Sequence, residues 1–230
     1  DFEVTYGLAI CAGGGGLELG LSLVLGSSHR VVCYVEREAY AAATLVTRMA
    51  EGALADAPVW DDLTTFTGDV ASPFVDKIDL LSGGIPCQPH SVAGNQRGAD
   101  DDRDLWPQTG RLIREIRPRG LFLENVPGIA RYYWERIRPE LHDMDYETAE
   151  GIFSAAEVGA NHRRERFFLL AYSRCFIGKE FWGGAIGQKN GIAQTGRRSA
   201  TVWRQDRFKP PLGPTDSVCG ERLGATDICR

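Results

Sequence analysis

Two kinds of apolar run alternate along this chain, and the alternation constrains its fold more than any other feature. "VTYGLAICA", "RVVCYVE", "APVW", "KIDLLSGG", "RGLFLEN" and "RRERFFLLAY" are short and dense in β-branched, aromatic or leucine residues. Interspersed with them are "LELGLSLVLG", "REAYAAATLVTRMA", "DLWPQTGRLIREI" and "RYYWERIRPEL", which read as helices. Short strands separated by helices of roughly 10 to 15 residues form βαβ units, and these assemble into a parallel sheet. The expected fold is α/β, with a doubly wound, mostly parallel sheet. Such sheets bind ligands in the crevice beyond the carboxyl ends of their strands, so the residue after each strand is where chemistry is sought.

The alternation stops near residue 172. The stretch "GKEFWGGAIGQKNGIAQTGRRSATVWRQDRFKPPLGPTD" is rich in Gly, Lys and Arg, carries interspersed aromatics and has no sustained period. Two regions are expected: a catalytic domain over 1–172 and a short, irregular, basic C-terminal region over 173–230. Residues 174–230 hold ten Lys and Arg against five Asp and Glu, a net +5; the whole chain carries −5, so residues 1–173 carry −10. Positive potential gathered at one end points to an anionic partner there, nucleic acid above all. No run of 18 apolar residues and no signal-peptide pattern is present, which leads to the expectation of a cytoplasmic protein without a membrane partner. The chain opens at Asp1 without an initiator Met, as expected of a fragment or a processed chain. Its six cysteines are scattered, with no CxxC pair, so neither a disulfide framework nor a metal site is expected.

After the first strand comes "CAGGGGLELG". Consecutive glycines at the mouth of a helix let a ligand approach the backbone closely. No start within Gly13–Gly16 puts a glycine at the third position of GxGxxG, which disfavours a dinucleotide. Glu36 ends the second strand, 20 residues beyond Gly16, where a carboxylate can accept hydrogen bonds from ribose hydroxyls. Asp62, after "APVW", is placed for an adenine amino group, with neighbouring Asp61 and a plain helix cap as alternatives. Cys87 lies just past the fourth strand between Pro86 and Pro89, where the stiffened backbone presents a thiol at the sheet edge; a nucleophile and an inert thiol are both open readings. Glu124 and Asn125 close the fifth strand; Glu124 is placed either to enter the same cleft as Cys87, where an apolar wall suits a carboxyl to share a proton, or to cap the helix that follows "NVPGI". In "NHRRERFFLL", Arg164 and Arg166 fall on one face of the last strand and suit either an anionic ligand or a solvated edge.

Taken together and in this order, "CAGGGGLELGL", "VEREA", "GGIPCQPHSVAGNQRG" with "DDRDLW", "LENVPG" and "GANHRRERFFLLA" resemble the motifs of the DNA (cytosine-5)-methyltransferase family over about residues 4–172. The resemblance implies a Rossmann-like S-adenosylmethionine-dependent domain. It also implies transfer of a methyl group to C5 of a cytosine flipped out of double-stranded DNA, through a covalent adduct with Cys87. Glu124 would bond the ring at N3 and the exocyclic amino group. Arg164 would hold the base or orient the glutamate, and Arg166 would support the cysteine loop. The cofactor set would be Cys11, Ala12, Gly13, Gly15, Gly16, Glu36, Asp62, Pro86 and Leu105. The loop from Ser91 to Asp102 would close over the base, and the basic region would recognise the target. A monomer from a restriction-modification system or phage is the expected setting.

The chain departs from the family at Cys11 and His90, where Phe is usual, and at Asn161 and His162 in place of Pro-Gln. It also lacks the family's final Gly-Asn motif. The alternatives are a nucleic-acid-binding paralogue without turnover, a tRNA cytosine-5 methyltransferase and a dehydrogenase on the same sheet.

Overall fold

In the computed structural model, which describes residues 4–86 and 104–176, strand β1 (Thr5–Ile10) passes through the glycine turn into helix α1 (Gly16–Leu25) and strand β2 (His29–Val35). Helix α2 (Ala39–Ala50) leads to the short β3 (Val59–Trp60), and β4 (Leu80–Gly84) follows. Helix α3 (Trp106–Ile116) precedes β5 (Gly120–Asn125). Next, α4 (Ala130–Tyr132) runs through a π-helical segment, Tyr133–Ile137, into α5 (Arg138–Asp143). Strands β6 (Tyr146–Ser154) and β7 (Glu165–Ser173) complete the fold. Helix α2 starts two residues later than its apolar pattern suggests, because the Glu38 carboxylate caps it by accepting from the Tyr40 and Ala41 amides at 3.0 and 2.7 Å.

The seven strands form one sheet in the order β3-β2-β1-β4-β5-β7-β6. The five from β3 to β5 are parallel, whereas β7 runs antiparallel to both β5 and β6. The mostly parallel sheet is as expected; a reversed last strand and an additional strand before it are not. Strand β6 is an edge strand with a single neighbour, and its sequence "YETAEGIFS" mixes Glu147, Glu150 and Gly151 among its apolar residues, so its period-2 signal is weak. Its link to β7, residues 155–164, holds one 3-10 turn closed by a capping box between Ser154 and Glu157. A crossover to a parallel neighbour takes a dozen or more residues, so this link folds straight back and reverses β7.

The sheet divides the core into two layers. Leu8, Ile10, Val35, Leu81, Leu121 and Leu123 pack with α3 and the π segment on one face, where Trp106, Leu112, Ile113 and Tyr133 are almost fully buried. Ala9, Tyr34 and Leu45 pack on the other, the side of α2. Helices on both faces are what double winding requires.

His29 is buried at the amino end of β2, with its ring against Gly7, where an added Cβ would lie 2.7 Å from Cε1. Burial pushes its pKa below 6.5, and the Thr5 backbone and the Asp79 charge oppose this only in part. A histidine held neutral by the fold contributes stability that is present above its unfolded pKa and is lost as the pH falls through the folded value. Between about pH 7.5 and 5.5 the wild type is therefore expected to lose more unfolding free energy than His29→Leu. Denaturant melts at the two pH values check this, and equal losses would remove His29 as the cause.

Candidate active site

Strand register brings the carboxyl ends of the parallel strands level: Ile10 lies opposite Val35 and Gly83, and Gly84 lies opposite Glu124. The residues that follow therefore share one edge. Leaving β1, the chain turns through positive φ at Cys11 (47°), Gly13 (55°) and Gly15 (75°). Gly15 suits this position because its φ lies in the left-handed region, and an added Cβ would also crowd the Leu54 and Leu45 side chains. Over Gly13 and Gly16 an added Cβ would meet nothing within 4 Å, so the backbone there is open to a ligand.

Side chains from the neighbouring elements hold this loop. The Gly13 amide donates to Glu36 Oε2 at 2.6 Å, while Glu36 Oε1 accepts from the Glu38 amide at 2.8 Å. Buried Ala12 donates its amide to the Val35 carbonyl at 3.2 Å. The Arg48 guanidinium, from the last turn of α2, donates to the Gly14 carbonyl. Nothing in the sequence singled out Arg48, since a cation in a helix's last turn is ordinary.

Cys11 stands between this loop and two acids. Burial first, then the charges of Glu36 and Asp62, push its thiol pKa up to about 12. The thiol is protonated at neutral pH and is a poor nucleophile. Asp62 accepts the Thr64 amide at 2.8 Å, and this bond together with the Thr64 side chain holds its pKa below the usual value. Cys11, Trp60 and Leu105 are partly buried against the same core, Leu105 as the residue capping α3. Glu36 thus meets the open glycine backbone directly, and the charges of Glu36 and Asp62 both reach Cys11 beside it. A carboxylate at the end of β2 beside exposed loop backbone suits a ligand with ribose hydroxyls.

At the far side of this edge, Glu124 Oε1 receives a hydrogen-bonded ion pair from Arg166 Nε at 2.5 Å. A Cβ on Gly84 would lie 3.4 Å from Glu124 Oε2, so the bare backbone leaves room beside the carboxylate. The carboxylate therefore faces a guanidinium rather than a wholly apolar wall. Asn125 Nδ2 donates to the Ile85 carbonyl at 3.0 Å, and Asn125 Oδ1 accepts from the Val126 amide at 2.8 Å. That bond ties β5 to the backbone two residues ahead of Cys87. Cys87 itself, His90 and the loop from Ser91 to Asp102 lie outside the described residues, and Pro86 is the last described residue before them.

The guanidinium that meets Glu124 belongs to Arg166, not to Arg164. Glu124 pairs in register with Phe168, and because β7 is reversed its first residues sit at the carboxyl edge of the parallel strands. Arg164 precedes the strand and is exposed; its carbonyl accepts from the Ala155 amide at 2.9 Å. Glu124 lines a small indentation together with Ile85, Leu123, Asn125, Ile129, Phe167 and, from the π segment, Tyr133. Among the described residues no group of His, Cys, Asp or Glu could hold a metal ion, and no helix is long and apolar enough to cross a membrane.

A doubly wound sheet with a glycine loop facing an acid at the end of β2 is the arrangement of an α/β domain that binds a nucleoside-containing ligand. Residues 7–185 match the model of the C-5 cytosine-specific DNA methylases, and the chain belongs to that family. It is 36% identical over 196 residues to the type II methyltransferase M.NaeI of Lentzea aerocolonigenes, covering 81% of this chain and 44% of that protein. It is 37% identical over 172 residues to M.NgoMIV of Neisseria gonorrhoeae, covering 71% of this chain and 50% of that protein. Among solved structures, a DNA modification methyltransferase encoded within an E. coli prophage superposes with a TM-score of 0.60 at 26% identity, over 75% of this chain and 47% of that one. The chain thus spans about half the length of these three relatives.

Proposed function

We propose that the protein is the catalytic part of a modification-type DNA (cytosine-5-)-methyltransferase that methylates a cytosine flipped out of double-stranded DNA. The observation that carries this reading is the Glu124–Arg166 pair, held on the same sheet edge as the glycine loop and Glu36. S-adenosylmethionine supplies an electrophilic methyl group on a sulfonium. Glu36 would receive its ribose hydroxyls and Asp62 its adenine amino group, Leu105 would pack on it, and the backbone of Cys11, Ala12, Gly13, Gly15, Gly16 and Pro86 would line the rest.

Cytosine C5 is a weak nucleophile. Addition of the Cys87 thiolate to C6 makes C5 electron-rich, and Glu124 hydrogen-bonds the ring at N3 and the exocyclic amino group as the adduct forms. Bound there, S-adenosylmethionine would supply the methyl group to the C5 that Cys87 and Glu124 activate, and would leave as its neutral sulfide. Loss of the C5 proton to a base and expulsion of Cys87 restore the aromatic ring. Arg166 acts by fixing the orientation of the Glu124 carboxylate, and Arg164, one alternate position earlier, is free to face the nucleic acid. The basic region over 173–230 takes the role of target recognition, its cations meeting phosphates.

A duplex with 5-fluorocytosine at the target position tests the nucleophile, the donor and base extrusion together, because fluorine blocks the proton loss that would release the enzyme. Incubated with this duplex and S-adenosylmethionine, the chain is expected to form a covalent complex that survives denaturing electrophoresis, and Cys87→Ser is expected to form none. Absence of the complex with the wild type, or an equal amount with Cys87→Ser, would overturn the reading. If a tRNA were trapped in preference to DNA, the chemistry would stand and the substrate would change.

A further inference from the structure

The glycine loop and β4 are the two backbone walls of the proposed site, and a buried polar pair joins them. Glu18, in the first turn of α1, is 1% exposed, and Ser82, at the middle of β4, is 2% exposed. Ser82 Oγ donates to Glu18 Oε1 at 2.9 Å across 64 residues of sequence. Glu18 Oε2 is buried with no partner among the described residues, so Ser82 supplies the one side-chain bond this carboxyl has there. Burial pushes the Glu18 pKa up, against its own backbone and the Ser82 bond.

The position is informative. Reading GxGxxG from Gly13 and Gly15, Glu18 stands where the third glycine would be. That glycine serves to bring helix and strand into close contact. Here a carboxyl and a hydroxyl fill the space and set the separation. The same carboxyl hangs from the helix whose cap is Gly15, and the same strand pairs with Ile10 through Gly83, where an added Cβ would lie 2.6 Å from the Ile10 carbonyl oxygen. Ser82 precedes Cys87 by five residues.

We infer that Glu18 is a positioning residue: its bond to Ser82 locks the first turn of α1 to β4 and thereby fixes the glycine loop relative to the carboxyl end of β4. The inference rests on the methyltransferase reading. It predicts a coupling between two residues that touch neither cofactor nor base.

The test is a calorimetric titration of S-adenosylmethionine into the wild-type chain, Glu18→Gln, Glu18→Ala, Ser82→Ala and the double Ala variant, with Tm recorded for each. Either Ala substitution is expected to weaken cofactor binding about tenfold, the scale of one buried hydrogen bond. The double variant is expected to be little worse than either single one, since both remove the same bond. Glu18→Gln keeps the shape and an acceptor oxygen, and is expected to restore binding to within about threefold of wild type. A lowered Tm with unchanged affinity in the Ala variants would reduce the pair to a structural role and sink the inference, as would additive losses. A wild type that does not bind S-adenosylmethionine overturns the function proposed above, and this inference with it; a wild type that binds alongside variants that bind equally overturns the inference alone.

Discussion

Replacing Glu124 by Gln is expected to slow methyl transfer by roughly two to three orders of magnitude, the usual loss when one preorganised group facing the transition state is removed. The carboxylate is oriented before any substrate arrives, by the 2.5 Å contact with Arg166 Nε. Gln matches its size but presents a neutral amide to that guanidinium and to the ring. The side chain is 28% exposed, so Tm should change little and the loss should fall on kcat. Arg166→Lys should recover little of an Arg166→Ala defect, because an ammonium lacks the planar donor fork that meets a carboxylate. Single-turnover methylation of a target duplex, with Tm as the control, measures this. A Glu124→Gln enzyme within about threefold of wild type would remove Glu124 from the chemistry.

The second large effect is on stability. Gly83→Ala is expected to cost about 3 kcal/mol, at the upper end for overpacking a tight site. The added Cβ would sit 2.6 Å from the Ile10 carbonyl oxygen and 2.7 Å from Ile10 Cγ1. Ile10 and Gly83 are register partners in the parallel β1–β4 ladder, so relieving the clash means moving two central strands apart. For a domain of this size the cost corresponds to a fall in Tm of roughly 6 to 12 °C. Gly20→Ala is the control: it lies inside α1, its φ is not positive, and an added Cβ meets nothing within 4 Å. It should raise stability by about 0.5 to 1 kcal/mol through helix propensity. Equal melting curves for Gly83→Ala and wild type would show that the two strands give way more easily than the ladder implies.

The two effects have different origins. Glu124 is near the end of a strand and partly exposed, so its replacement perturbs charge with little disturbance of packing. Gly83 is buried between strands, so its replacement disturbs packing directly.

The order of strands and helices as far as α5, the glycine turn and the acids at strand ends were determined by the sequence alone, since each is written within one segment as a period, a turn residue or a strand terminus. The facing of Glu36 and the glycine loop followed from that order, and the Gly13 amide joins them. What only the tertiary structure decided involves two distant segments at once. Strand β6 carries too mixed a pattern to be read by itself, and its short return link reverses β7. That reversal delivers Arg166 to Glu124, 42 positions away in sequence, and the pairing of Glu18 with Ser82 and of Arg48 with Gly14 is of the same kind. Periodicity records which face of an element is buried, but strand direction and long-range polar partners are set by how the elements pack, and no local pattern carries that information.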